Sequence, residues 1–408
     1  MQESPLTSHR QGPWPDLPAL IDAIRSAAAL PVGQRPAFRI HGSGSHDFFG
    51  ESLSGELLET RGLSGILQYE PSELYVTAAA GTPLRLVEET LKSNGQCLAF
   101  EPPVFHAHRD RSDATIGGMI ASGLSGPARA SVGSVRDFVL GLRFINGRGE
   151  HLTFGGQVMK NVAGYDVSRL LAGSWGQLGL ITEVSLKVLP VAPGEATLMC
   201  VGVSQAQALT LLNRWGGQPL PLNASAWVHD TTASPAQDYL FVRLRGAIAA
   251  VEAAVTKMGA EVQALGAQVT RMDNAQAAPD WKASGEQTLD FFNAPSEQDC
   301  LWRLSVPQTA PVLDVHVKGA TCAQYIEWHG AQRWLWAPAA EAAHIREVAA
   351  QAGGHATLFR TSAASRQTHG DVDKQAGVYT PLNAVQQRIQ NELKKQFDPA
   401  GIFNPGRA

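Results

Sequence analysis

The sequence is short of charge, and its few cysteines are scattered. Only 17% of the 408 residues are charged, against roughly 25% in an average soluble domain, so part of the surface is expected to be covered by a partner. Formal net charge is −4 and Lys and Arg do not cluster, so the electrostatic footprint that holds a phosphate polymer is missing and no nucleic-acid partner is expected. The four cysteines, Cys97, Cys200, Cys300 and Cys322, lie far apart. That spacing excludes a CxxC zinc pair and the closely spaced thiolates of an iron–sulfur cluster, which would have to sit on another chain. There is no uninterrupted apolar run of about 18 residues, so no transmembrane segment is expected. Met1 to Pro15 is polar, contains prolines and lacks the basic-plus-apolar layout of a secretion signal; a cytoplasmic location is the expectation. Neither a Walker-type GxxxxGK[ST] loop nor a GxSxG nucleophile elbow occurs, which removes support for P-loop and α/β-hydrolase chemistry.

With 44% hydrophobic residues over 408 positions, the chain can build a large core, and its length points to two domains. Leu17, Leu20, Ile21, Ile24 and Ala28 recur at helical spacing, and the β-type run Ala37 to Ile40 follows Pro31. Strand-like runs cover Gly65 to Tyr69 and Leu74 to Ala79, and a helix then opens on Thr82 as N-cap with Pro83 first. Val139 to Phe154 reads as a hairpin around Asn146-Gly147-Arg148-Gly149. In Leu180 to Leu189, Val184, Leu186 and Val188 alternate with Glu183, Ser185 and Lys187, the pattern of a strand with one polar face. Pro190, Pro193 and Gly194 break it, which places a domain boundary there: 1–190 and 191–408. The second half mixes helical stripes with Trp-rich strands and includes a linker-like region near Ala275 to Gly285. Its last helix starts at Thr380 and Pro381, with Leu382, Val385, Ile389, Leu393 and Phe397 as the expected buried face. Strands interleaved with helices in both halves indicate an α+β fold.

Three glycine-rich stretches carry the chemistry. In Arg39-Ile40-His41-Gly42-Ser43-Gly44-Ser45-His46 a strand runs into small residues, a loop able to present several N–H groups to phosphate oxygens. Taken alone such a loop is commonly an ordinary turn, and Asp47 stands where G-x-G-x-x-G needs its third glycine, so the Rossmann fingerprint fails. Ala114 to Gly123 has almost no side-chain bulk on one face; a helix starting there would aim amides and a positive dipole end at an anion, and close packing on a sheet is the equal alternative. Two such loops about 70 residues apart suit a pyrophosphate, which needs donors from more than one side. Gly173 to Glu183 feeds glycines into the long strand, where a planar ring could lie against bare backbone or a simple bulge could form.

Read in order, HGSGS, SELYVTAAAGTPLRLVEETLKSNGQ, FEPP, ATIGGMIASGLSGPARASVGSVRDFVLGLRFINGRGE and KNVAGYDVSRLLAGSWGQLGLITEVSLKVLP resemble the flavoproteins related to vanillyl-alcohol oxidase and p-cresol methylhydroxylase, over roughly residues 35–190. The terminal FDPAGIFNPGR is similar to the closing segment of the branch acting on 2-hydroxy acids. Within it, ASGLSGPAR, KNVAGYD and IEWHGAQRWLW look most like the FAD-binding subunits of three-subunit glycolate oxidases. The resemblance implies a two-subdomain FAD-binding domain followed by a smaller α+β cap, with the C-terminal segment returning to the first domain. It implies that Gly42, Ser43, Gly44 and Ser45, with His46 in the same loop, cradle the FAD pyrophosphate together with Thr115, Gly117 and Gly118. Ser122 and Gly123 would lie by the flavin, Gly179 and Ile181 would reach the adenosine or the isoalloxazine, and Pro102, Pro103 and Gly133 match positions near the cofactor. Relatives with covalent flavin carry a histidine inside the first loop, where Gly44 stands here, which implies non-covalent FAD.

One departure bears on catalysis. Catalytic members carry paired histidines and an HGDGN-like segment in the second domain, whereas this chain has Gly354-His355-Ala356-Thr357 and His369-Gly370-Asp371-Val372-Asp373. No catalytic residue and no metal site is assigned; His106-Ala107-His108 has metal-like spacing in a Pro-rich loop, where a solvated or phosphate-neighbouring loop is the better reading. Trp328, Trp334 and Trp336, with His329 and Arg333, suit a substrate face, a subunit interface or hairpin packing equally. Tyr165 and Asp166 suit orienting the flavin ring and a loop capped into a short helix by Asp166 equally. The resemblance implies partners: a second flavin subunit that oxidises the 2-hydroxy acid and an iron–sulfur subunit that receives electrons, with any membrane association running through them. The rival readings are a self-sufficient D-lactate-type dehydrogenase with a base from His329, His355 or His369, and a flavin-free scaffold.

Overall fold

Residues 17–105, 114–157, 165–232, 234–317, 319–367 and 372–407 are described by a computed structural model. The helix Leu17–Ala29 buries Leu20, Ile24 and Ala27, one face at helical spacing, against Phe38, Leu58, Ile402 and Phe403. The strand Phe38–His41 follows and pairs in parallel with Glu56–Glu59. Beside it stands a five-stranded antiparallel sheet, ordered Ile66–Glu70, Tyr75–Ala79, Leu180–Lys187, Val139–Ile145, His151–Gly155. The last two of these strands form the hairpin expected around Asn146-Gly147. The predicted polar face of Leu180–Lys187 is not exposed throughout: as a central strand it is covered on both sides, and buried Ser185 sits 2.8 Å from the hydroxyl of Thr77 on the neighbouring strand.

Strands beyond Pro190 build an eight-stranded antiparallel sheet running from Gln268–Met272 at one edge to His355–Arg360 at the other. The helices Gln205–Gly216 and Ile248–Gln263 cover one end of a face through Leu209, Leu212, Trp215, Val251 and Met258, and Ala342–Gln351 covers the other end through Ile345 and Ala349. A further cluster joins Phe49, Phe105 and Leu124 of the first half to Trp281, Tyr325, Trp334 and Phe359 of the second. Electrostatics fix the same junction: Glu101 accepts from Arg243 at 2.7 and 2.8 Å and from Arg245 at 2.8 Å. The fold is α+β, and the chain end returns to its start, with Phe403 bridged in parallel to Phe38.

Three local expectations are corrected. Ala275 to Gly285 is no linker but part of the helix Asn274–Glu286, capped by the Asp273 carboxylate and anchored by buried Trp281, despite Pro279 inside it. Thr82 does not cap the next helix, because its hydroxyl accepts from the Gly65 amide at 2.9 Å and donates to the Gly65 carbonyl at 3.0 Å; Leu84–Lys92 begins after Pro83. The last helix is Ala384–Phe397, capped by Asn383 rather than by Thr380. Its stripe is covered only at the C-terminal end, where Leu393 and Phe397 pack, while Leu382, Val385 and Ile389 are 45%, 56% and 54% exposed. Among the described residues no helix is long and apolar enough to cross a membrane.

Candidate functional site

The strand Phe38–His41 delivers its following loop into a cleft floored by the start of the helix Ile116–Ser122. Gly42, Ser43, Gly44, Ser45 and His46 line one wall, Thr115, Gly117, Gly118 and Ser122 a second, and Gly179 with Ile181 a third. Ser43 and Thr115, far apart in sequence, thus share one cleft. Gly44 sits at φ +72°, a left-handed turn that glycine adopts at no steric cost. The turn is closed by the Asp47 amide on the Gly44 carbonyl at 3.1 Å, and Asp47 is held by Arg39 at 2.5 Å.

The two loops differ in what they offer a ligand. Among the described residues the amides of Ser43, Gly44 and Ser45 have no acceptor, so they form an unsatisfied donor nest of the sort that binds phosphate oxygens. The helix start is different: Ile116 N–H donates to Thr82 O at 3.0 Å, Gly117 N–H to Ala80 O at 2.7 Å, and Gly118 N–H to Thr115 Oγ1 at 3.2 Å. Of the two alternatives for this stretch, these hydrogen bonds favour packing, since the helix-start amides are taken within the chain. Its bareness serves close packing instead, since a Cβ on Gly117 would lie 2.9 Å from that of Ala80 and one on Gly42 would lie 2.5 Å from Thr115 Oγ1. A further amide with no acceptor among the described residues comes from Gly176 at φ +71°, in the third glycine-rich stretch. Free donors on one side and small residues on another fit a diphosphate-bearing cofactor.

His46 is buried, its Nδ1 2.9 Å from Ser45 Oγ. Loss of hydration lowers its pKa to about 4 against the opposing pull of the Asp47 carboxylate, so the imidazole is neutral at pH 7 and adds no charge to the cleft.

Four predicted positions stand outside this cleft. Pro102 is buried and does not line it, and Pro103 lines a separate small cavity with Arg303, Glu327 and Phe359 at the junction of the halves. Gly123 ends the helix at φ +66°, its α-carbon side against Gly173. Gly133, at φ +99°, ends the short helix Arg129–Val132 and packs on Asp137.

The cleft also contains residues that the spacing of glycines could not single out. Asn404 accepts from the Ile40 amide at 2.8 Å through Oδ1 and donates to the Trp175 carbonyl at 2.6 Å through Nδ2. Arg407 donates to the carbonyls of Glu51 at 2.5 Å and His46 at 3.1 Å, its guanidinium 5.3 Å from the Trp175 ring. Both belong to the terminal FNPGR segment, and the unusual Asn-Pro-Gly turn was the available signal for them.

Of the candidate second-half bases, His329 is engaged elsewhere, and His355 is the exposed first residue of the edge strand His355–Arg360. His329 has both ring nitrogens 2.9 Å from serine hydroxyls, Ser131 of the first half and Ser225 of the second. It sits at φ +57° beside Trp328 at φ +51°, and burial lowers its pKa to about 4. The Trp328 indole donates to the Gly126 carbonyl at 3.0 Å and that of Trp334 to Glu327 at 2.7 Å, so this hairpin joins the halves and packs the core. Asp166 caps the helix Val167–Leu171 as expected. His106, His108, His369 and most of KNVAGYD lie outside the described residues.

Comparison with known proteins adds identity to this geometry. The family model described as FAD binding domain matches residues 17–155. Glycolate oxidase subunit GlcE of Escherichia coli (strain K12) is 40% identical over 389 residues, 95% of this chain and 96% of that one. Glycolate oxidase subunit GlcD of Bacillus subtilis (strain 168) is 32% identical over 150 residues, 36% of this chain and 30% of that one. Among solved structures, an alkyldihydroxyacetonephosphate synthase superposes with a TM-score of 0.60 at 16% identity, covering 90% of this chain and 71% of that one, a likeness of fold alone. The chain belongs to the FAD-binding oxidoreductase family of the vanillyl-alcohol oxidase type that includes glycolate oxidase subunit GlcE.

Proposed function

We propose that the chain is the FAD-binding subunit of a heteromeric glycolate (2-hydroxy acid) oxidase, which takes glycolate to glyoxylate and passes electrons onward. In this reading residues 1–190 hold the cofactor and 191–408 form the cap, with Asn404 and Arg407 bracing the cofactor loop from behind. The observation that carries it is the cluster of acceptor-less amides at Ser43, Gly44 and Ser45, on a chain whose GlcE-like relative matches it over 95% of its length. Those amides would hold pyrophosphate oxygens, with Thr115, Gly117 and Gly118 as the facing wall and Gly176, Gly179 and Ile181 along the third side. No histidine stands at Gly44, in keeping with non-covalent FAD. When bound, FAD supplies a two-electron acceptor for the α-carbon of a 2-hydroxy acid.

The residues of the second half favour a supporting place in that reaction. His329 is hydrogen-bonded through both nitrogens, and the chain lacks the HGDGN-like segment, so the substrate is assigned to a second flavin subunit and the onward electrons to an iron–sulfur subunit. Assembly in the cytoplasm with these partners would also cover apolar surface such as Leu382, Val385 and Ile389. The purified chain is expected to show flavin absorption near one FAD per chain, released by acid precipitation, with no turnover of glycolate until the partner subunits are added. A colourless protein would reduce it to a scaffold; turnover by the lone chain would make it a self-sufficient dehydrogenase.

A further inference from the structure

The second sheet carries a cavity of about 540 Å³ that the cofactor cleft does not use, within the roughly 300–1,000 Å³ of small-molecule sites. Phe241, Trp281, Phe291, Tyr325 and Trp336 line it with Met272. The polar edges of its rings are already satisfied: Trp281 donates to Thr197 Oγ1 at 3.0 Å, Trp336 to the Phe291 carbonyl at 2.7 Å, and Tyr325 to Ser284 Oγ at 3.0 Å. Aromatic faces are what remain for a ligand, and they favour a flat ring system.

Charge narrows the choice. Asp230, Asp280 and Asp290 line the cavity, and no Lys or Arg does among the described residues, so a small 2-hydroxy acid anion is repelled. The cavity is also tied to the cofactor cleft by touching rings. From Tyr325 on its wall, centroid separations run 5.3 Å to Phe292, 5.8 Å to Trp334, 4.9 Å to Phe359, 4.6 Å to Phe49 and 5.1 Å to Trp175, and Trp175 lines the cleft.

We propose that this cavity binds an uncharged planar aromatic molecule of the quinone class. The uncharged planar ring follows from the cavity itself; the choice of a quinone rests on the flavoprotein reading above, because a run of ring contacts connects the cavity to the cleft.

The probe is menadione, titrated into the full chain with and without FAD and followed by tryptophan fluorescence and equilibrium dialysis. Saturable one-to-one binding is expected, unaffected by excess glycolate. Ala323, an exposed residue on the cavity wall, gives a variant that should fold: Ala323→Trp is expected to weaken menadione at least tenfold while leaving circular dichroism and FAD content unchanged. Phe241→Ala, which removes a wall, should weaken it as well. Absence of saturable binding, or binding that neither variant moves, overturns the proposal. Retained menadione binding on a chain unable to take up FAD supports the cavity and overturns the flavoprotein reading alone.

Discussion

Gly42 and Thr115 meet so closely that a β-carbon on the first would stand 2.5 Å from the hydroxyl oxygen of the second. Real Cβ contacts are essentially never that short, so in Gly42→Ala either the nest loop or the Thr115 hydroxyl, and with it the bond that hydroxyl accepts from the Gly118 amide, must shift. The expected cost is about 1–3 kcal/mol of overpacking, and FAD affinity should fall at least tenfold. Flavin absorption after dialysis checks it; full FAD retention in Gly42→Ala would remove the nest from the cofactor site.

Asn404 ties the nest strand to the glycine-rich Trp175 turn through one acceptor and one donor. Asn404→Ala leaves the Ile40 amide and the Trp175 carbonyl unpaired, at roughly 1–3 kcal/mol each. A drop in thermal midpoint accompanied by weaker FAD binding is expected. Loss of stability with unchanged flavin content would confine Asn404 to folding.

Glu101 receives three hydrogen bonds from two arginines of the second half, and Arg243 is almost fully buried. Glu101→Gln strands that guanidinium without a counter-charge, costing about 3 kcal/mol. The damage should appear as separate unfolding of the two halves in calorimetry, where the parent chain gives one transition.

Two histidines make the chain acid-sensitive. Burial lowers both His46 and His329 from the usual 6.5 to about 4. Above pH 6.5 both are neutral whether the chain is folded or not, so nothing is lost there. As pH falls below 6.5 the unfolded chain takes up protons that the folded chain refuses, and stability drops until about pH 4, by roughly 3 kcal/mol per histidine. Urea melts from pH 7.5 to 4.5 should show this slope in the FAD-free chain, and His329→Gln should make it shallower.

The last helix divides into a covered end and a bare end. Val385→Gln with Ile389→Gln should change the stability of the isolated chain by no more than about 0.5 kcal/mol, because both side chains already face solvent. Phe397→Ala, which removes a ring 5.9 Å from Phe144, should cost about 2 kcal/mol. Equal losses from the two ends in chemical denaturation would contradict this division.

Much of the local structure was legible because it depends on short-range rules. Asn-Gly at 146–147 makes its hairpin, Asp166 caps its helix, and the apolar spacing of Leu20 and Ile24 buries one helical face. The glycine loops were legible as a group for the same reason: bare backbone is a property of the residues themselves. Periodicity failed where burial had to be decided by neighbours. The stripe Leu382, Val385, Ile389 has the spacing of a core face, yet nothing among the described residues buries it; Ser185 has the look of a solvent-facing residue, yet strands on both sides bury it.

By itself the sequence determined the α+β class, the nest of small residues at Gly42 to Ser45 and the FAD-binding family, since backbone freedom and motif order are written residue by residue. Tertiary structure alone decided which amides stay free: Ala80 and Thr82 happen to lie over the helix start and consume the donors of Gly117 and Ile116, while nothing among the described residues reaches those of Ser43, Gly44 and Ser45. It also decided that a terminal Asn404 would brace a loop some 360 positions earlier in the chain. Hydrogen-bond competition between distant segments has no local signature, because each donor's fate depends on what the rest of the chain brings within about 3 Å.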